Sequence, residues 1–316
     1  HDDFAISNDS IPFLSIFNLT IIECNSYNSC NIPNMEKLIT LNHFGFLSLT
    51  GKDAKKFLQG YTTCDLEEVL EGQSRLGAIC NIQGRMLANF RIVAQEDGYL
   101  LRLNASLITE VIGFLQKYIV FSKAKLEDQS QTKHCYGTFI GQEQWPSSLL
   151  EDKRINNDTI ICVDKDRFEV WSEKKLDASD EREAWAWSEM DSGYAWIDEL
   201  SLNEYLPQMY NLHNLKGISF EKGCYLGQEI VARMQFRGKL KKKLYQGVAS
   251  REIKNGENIL NERQQSVGKV VSAQGARFLA VIQNKDQSQD TQSLDFKLSD
   301  EQNVSVTQVP IKQESQ

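Results

Sequence analysis

Hydrophobic and polar positions in this chain divide it into three stretches of different rhythm. Phe44 to Thr50 reads as a strand closed by Gly51, and Asp53 opens a short helix through Leu58 as its N-cap or first turn. Leu76–Ile82 and Met86–Ala94 flank Gln83-Gly84-Arg85, a hairpin signal, and Tyr99–Leu103 adds another strand. Between Asn104 and Phe121 the apolar residues Leu107, Ile108, Val111, Ile112, Leu115 and Ile119 line one face of a helix, after which Lys123–Leu126 returns to strand. This strand–helix–strand–strand–strand–helix–strand order predicts a ferredoxin-like module. A second set follows: strands at His134–Ile140, Thr159–Val163 and Arg167–Trp171, with the last two paired, then a helix over Ala178–Met190. Gln142–Leu150 between them is broken by Pro146. The mixture is an α+β pattern rather than alternating βαβ units.

After Gly238 the rhythm changes to short strands at Leu244–Ala249, Val267–Ser272, Arg277–Ile282, Ser293–Leu298 and Val304–Val309. Polar clusters separate them and no helix is evident, the pattern of a small β-barrel or sandwich. The expected domains are therefore 1–130 and 131–238, both α+β, and 239–316, the barrel; interleaving of the first two is left open. Ahead of His43, Ile11–Cys24 has room for one or two strands and Asn25–Asn34 reads as loop. Gln283–Thr291 is polar enough for a loop.

Length agrees with this division, since 316 residues exceed one small core. With 41% hydrophobic and 25% charged residues the composition is that of a soluble globular protein. Ile11–Ile22 is interrupted by Ser15, Asn18 and Thr20, so no apolar run is long enough to span a bilayer. His1-Asp2-Asp3 is not the start of a signal peptide, and a chain beginning at His1 reads as processed or tagged. Seven cysteines without a Cys-x-x-Cys pair, and four histidines without ligand spacing, argue against a disulfide framework and a zinc site. Free thiols point to a reducing cytoplasm. A net charge of −8 disfavours a protein that coats nucleic acid with its whole surface.

The densest chemistry lies in Lys222-Gly223-Cys224-Tyr225-Leu226-Gly227-Gln228-Glu229. Good helix formers begin at Gln228, which places Cys224 just ahead of a helix N-terminus, a setting that favours a thiolate. Lys222 acts in the same direction. On these features alone a lone cysteine reads more readily as a small core residue.

The octapeptide resembles the signature of the YgfZ family, folate-binding relatives of the glycine-cleavage T-protein that assist iron–sulfur enzymes and tRNA modification. The resemblance extends through Gly51-Lys52-Asp53-Ala54-Lys55-Lys56-Phe57-Leu58-Gln59-Gly60 with Thr63 and Asp65, through Leu206-Pro207-Gln208, Asn211-Leu212 and Gly217-Ile218-Ser219-Phe220, and on to Val231-Ala232-Arg233 and Phe236-Arg237-Gly238. Cys64 stands where many relatives carry Asn or Ala. The resemblance implies a T-protein-like ring of two ferredoxin-like modules and a barrel around a central channel. It implies tetrahydrofolate or a derivative as cofactor, Cys224 and Lys222 as candidate catalytic residues, and Phe44, Trp185, Tyr225, Gln228, Glu229 and Arg233 as candidate folate contacts. Phe44, where relatives can have Trp, and Trp185 would wall a pterin. As strand Phe and helix Trp they also read as core, equally with folate for Trp185 and more readily for Phe44, and both readings stay open.

One departure bears on activity. Where a T-protein carries acidic residues after the hairpin glycine, this chain has Ala88-Asn89, which cannot act as a general base or hold a charged amine. There is no Gly-rich phosphate loop, no Ser-His-Asp order and no His/Glu metal pair. The expected function is a folate-binding accessory protein for iron–sulfur enzymes, including tRNA-thiolating ones. The alternative is a folate-dependent one-carbon transferase of unknown acceptor, which Cys224 as a nucleophile keeps alive. A tRNA-binding module comes third. Arg233, Arg237, Lys239 and Lys241–Lys243 put six positive charges into eleven residues, a docking run for a folate tail, tRNA or an acidic partner.

Overall fold

The structure, a computed structural model, describes residues 38–238, 240–283, 293–300 and 302–309. The strands expected within Ile11–Cys24, the loop at Asn25–Asn34, most of the loop after Gln283, and Lys239 lie outside the described residues.

The first stretch forms the elements its periodicity predicts. In chain order they are β1 (Ile39–Thr40), β2 (Phe44–Thr50), α1 (Ala54–Gln59), β3 (Arg75–Cys80), β4 (Met86–Gln95), β5 (Gly98–Asn104), α2 (Ile108–Ile119) and β6 (Lys125–Asp128). Five of the strands make an antiparallel sheet in the order β3-β4-β5-β2-β6. Its β4-β5-β2-β6 part has the split order of a ferredoxin-like module, with β3 added at the edge. Ile108, Val111 and Leu115 of α2 are buried against this sheet, because a 3.6-residue period returns them to one face. Asp53 occupies the N-cap position of α1 without capping it; its carboxylate accepts the Lys123 amide at 2.8 Å.

The second sheet takes the order β1-β7-β10-β9-β8, with β7 (His134–Thr138), β8 (Asp152–Ile155), β9 (Asp158–Asp164) and β10 (Arg167–Ser172), all antiparallel. The alternation does not reveal β8, a four-residue edge strand with charged side chains outward, the usual protection of an exposed edge. Helix α3 covers Glu183–Asp191, five residues shorter at its start than the sequence predicts. Ser179 is instead held extended, donating to Leu38 O and accepting from Thr40 N, both at 2.8 Å.

A segment with few regular elements, including a 3₁₀ turn at Pro207–Tyr210, leads to α4 (Gln228–Phe236). The last stretch is a closed barrel in the order β11-β14-β13-β12-β15-β16: β11 (Lys242–Val248), β12 (Asn258–Leu260), β13 (Ser266–Gln274), β14 (Arg277–Gln283), β15 (Leu294–Leu298) and β16 (Asn303–Gln308). Only β12, three residues long, has no counterpart in the alternation. Closure leaves no free edge. Among the described residues no helix is long and apolar enough to cross a membrane.

Candidate functional site

The sequence-derived residues fall into two groups, packed on different parts of the core. The first is built on the octapeptide. Gly227 is the N-cap of α4 at φ +82°, and a Cβ there would stand 2.4 Å from Asn81 O. Gly84, at φ +72° in the facing hairpin, would meet Ile230 of α4. These two glycines let the hairpin and the helix start pack backbone to backbone. Leu226 N donates to Gly60 O at 3.0 Å, which ties the octapeptide to the end of α1.

Lys222 makes the stronger tie. It is buried, and its ammonium donates to Gln59 O, Thr62 O and Cys64 O at 2.8, 2.7 and 2.8 Å. Burial lowers its pKa to about 8, against the pull of Cys64 and Asp65. Its charge is thus directed at three carbonyls of the 59–64 loop. Around it the other motif residues lock together: Thr63 Oγ1 donates to Gly217 O at 2.6 Å and accepts from Ala78 N, and Gln59 bridges Asp65 and the Leu66 amide. Gln208 Nε2 donates to Val231 O of α4 at 2.7 Å. Tyr225 is buried with the Lys222 ammonium 5.1 Å from its ring centre.

Cys224 stands outward on this platform. It is exposed, whereas Cys64, Cys80, Cys135 and Cys162 are buried. Burial pushes the Cys64 and Cys162 thiols up to about 11 and those of Cys80 and Cys135 upward as well. At Gly223 nothing lies within 4 Å of where a Cβ would be. Gln228 is half-buried at the first position of α4, while Glu229 and Arg233 are exposed on it.

The second group surrounds Phe44 and Trp185, which share one buried cluster. Beneath them the two sheets meet through buried charges. Arg102 of β5 grips Glu169 of β10 with two bonds, of 2.5 and 3.2 Å, and Trp171 Nε1 donates to the same carboxylate. Arg91 of β4 stands 3.5 Å from it. Burial pushes the Glu169 carboxyl up, but Arg102 and Arg91 outweigh it and hold the group below its ordinary range. Arg167 pairs with Asp164 and lies 5.2 Å from the Trp185 ring centre.

Phe44 is covered: Arg102 lies 3.7 Å from its ring centre, Trp196 packs edge-on at 5.3 Å and His43 sits 3.9 Å away. It therefore supports the pocket above it without lining it. That cavity, about 190 Å³, is walled by His43, Trp185, Trp196, Glu189, Asp198 and Asn255 among others. Trp185 Nε1 is buried without a partner, and Trp196 Nε1 donates to Glu189 at 3.0 Å. Burial first, then Arg102 and Arg182, lower His43 to about 3, so the ring is neutral. Trp196, His43 and Glu189 were not singled out from sequence. A pterin, flat and edged with donors and acceptors, matches two indoles, an unpaired indole N–H and carboxylates. The volume, below that of pockets for drug-sized ligands, is enough for one flat ring system.

Asn89, in place of a T-protein acid, is buried and uses both ends of its amide. Nδ2 donates to Ala195 O at 2.7 Å, and Oδ1 accepts from Ile197 N at 2.8 Å, fixing the backbone that carries Trp196. Ala88 is fully buried in the core.

This arrangement is that of an aminomethyltransferase-type α+β protein with a C-terminal barrel. A family model described as the GCVT N-terminal domain matches residues 31–137. Among solved structures, the glycine cleavage system aminomethyltransferase T of Bartonella henselae superposes with a TM-score of 0.63 over 87% of this chain and 85% of its own, at 14% identity. Among curated proteins, the tRNA-modifying protein YgfZ of Colwellia psychrerythraea is 32% identical over 66% of this chain and 70% of that protein. That of Yersinia pestis is 30% identical over 80% and 86%, and that of Escherichia coli 28% over 84% and 90%. The chain belongs to the YgfZ family.

Proposed function

We propose that this protein is a tRNA-modification factor that binds a reduced folate and uses Cys224 to support iron–sulfur enzymes, tRNA-thiolating ones among them. The observation that carries this reading is the single outward thiol among the described cysteines, held on a platform braced by Lys222, Gly227 and the 59–64 loop. A structural cysteine has no need of that position. The tRNA role is supported by the family's characterised members, the tRNA-modifying YgfZ proteins. Folate is supported by the pocket of Trp185, Trp196 and His43, and by a fold shared with an aminomethyltransferase. When bound, a reduced folate would supply a one-carbon unit or a redox-active pterin ring, and Trp185, Trp196 and Glu189 would hold and orient it.

The transferase alternative is disfavoured by Asn89, whose amide is committed at both ends and offers no base. Two measurements test the proposal. Tetrahydrofolate titrated into the protein should change tryptophan fluorescence, and Trp196→Phe should weaken binding. Cys224→Ser should keep its melting temperature and folate affinity yet fail to restore tRNA thiolation in a deletion strain. Full restoration by Cys224→Ser would remove the thiol from the function, and absence of tetrahydrofolate binding would remove the folate.

A further inference from the structure

The exposed side of α4 carries Arg233 and Phe236, three residues apart on one face, with Glu229 a turn earlier, and Arg237 follows as the exposed C-cap, its amide donating to Arg233 O. Lys241 is exposed just beyond, and Lys242 opens β11. Most basic runs are merely solvated. Two observations set this one apart. Phe236 is 69% exposed, with its ring standing edge-on to Phe220 at 5.5 Å, so its free side is an aromatic platform among cations. Moreover, a cavity of about 470 Å³ opens at the root of the same helix. Its walls include Met209 and Ile230, its polar groups Gln83 and Glu204, and its cations Arg85 and Lys242.

The side chains of Arg233, Arg237 and Lys241 make no ion pair among the described residues. Elsewhere in this protein of net charge −8, Lys55, Lys133, Arg251 and Arg277 are matched with carboxylates, while Lys56, Lys117 and Arg263 have no such match among the described residues, so it is the clustering around an exposed aromatic, not the lack of partners, that distinguishes this face.

We infer that this face binds single-stranded RNA, with phosphates along Arg233, Arg237 and Lys241, a base stacked on Phe236, and an unstacked base in the cavity between Met209 and Ile230. The inference rests on the tRNA-modification reading above and gives it a surface. Single-stranded RNA is recognised by the pairing seen here, a cationic track with an aromatic on which bases stack. Apolar walls with an amide and a carboxylate at the rim suit the face and the edge of a base. An acidic protein segment would use the cations but gain little from an apolar-walled cavity roomy enough for a base.

The test is fluorescence anisotropy of a labelled single-stranded RNA oligomer against the full chain over a salt series. Arg237→Ala with Lys241→Ala should lower the slope of log affinity against log salt by about 1.4, two phosphate contacts for a single strand. Phe236→Ala should weaken binding about 5- to 150-fold, the range for one stacked base. Both variants should keep the parent melting temperature, as expected for exposed side chains. Unchanged RNA affinity in both variants, or no RNA binding by the parent at low salt, overturns the inference. So does a polyglutamate peptide that binds as tightly as RNA and is indifferent to Phe236→Ala. None of these outcomes touches the Cys224 rescue assay, and failure of that assay with RNA binding intact strikes the thiol reading alone.

Discussion

Replacing Lys222 with Met tests whether the octapeptide is braced as its hydrogen bonds indicate. The ammonium serves the carbonyls of Gln59, Thr62 and Cys64 at 2.7–2.8 Å. Cys64 O keeps a second donor, the Thr62 hydroxyl at 3.3 Å, whereas Gln59 O and Thr62 O lose a charge-assisted partner. A buried acceptor left unpaired costs about 1–3 kcal/mol, and the methionine stem recovers the burial of the lysine chain. Relief from burying the ammonium offsets part of the loss, leaving about 3 kcal/mol. For a chain of 316 residues that corresponds to a melting temperature about 4–6 °C lower. Calorimetry or dye-monitored melting of parent, Lys222→Met and Lys222→Arg measures this, with Arg intermediate. The pH dependence adds a sign. Folding lowers the lysine from 10.5 to about 8, so between those values the unfolded chain holds a proton that the folded chain has released. Stability then rises with pH across that window in the parent and not in Lys222→Met. A melting temperature within about 2 °C of the parent, or a gap between the two that narrows from pH 8 to 10, would refute the reasoning.

Alkylation followed by mass spectrometry should label Cys224 before Cys64, Cys80, Cys135 and Cys162, which are buried with their thiols raised; equal labelling of Cys64 would show that the platform opens readily. Glu169→Gln leaves Arg102 and Arg91 buried beside a neutral amide and should cost about 3–5 kcal/mol in denaturant melts, with a loss below 1 kcal/mol counting against the ion pair as the tie between the sheets. His43, lowered to about 3 in the folded chain, should make stability fall as pH drops from 6.5 towards 3, and His43→Gln should flatten that acid limb. Asn89→Asp sets a carboxylate against the Ala195 carbonyl and should destabilise by about 1–3 kcal/mol without creating aminomethyl transfer; methylene-tetrahydrofolate formation by that variant would reopen the transferase reading.

These sites differ in how far the chain alone reveals them, and the reason is direction. Periodicity reports which face of an element is buried, so β2 to β6, α2 and most of the barrel are legible from alternation or a 3.6-residue repeat. Elements of three or four residues, such as β8 and β12, have too few positions to show a period. The start of α3 shows a different limit, because Ser179 pairs with a strand some 140 residues away and that partner overrides local helix propensity. Side-chain aim is less accessible still. Lys222 lies two residues from Cys224 in sequence, yet the turn points its ammonium at residues 59–64. Arg91 and Arg102 sit opposite each other in the register of β4 and β5, so their charges share one sheet face. Full burial of that face requires a carboxylate from the facing sheet, and Glu169 provides it. A charged residue inside an apolar strand was the readable sign of this chamber. The chamber in turn supports Phe44 through Arg102, so the aromatic that resemblance assigned to folate acts beneath the pocket while His43 and Trp196 form its wall.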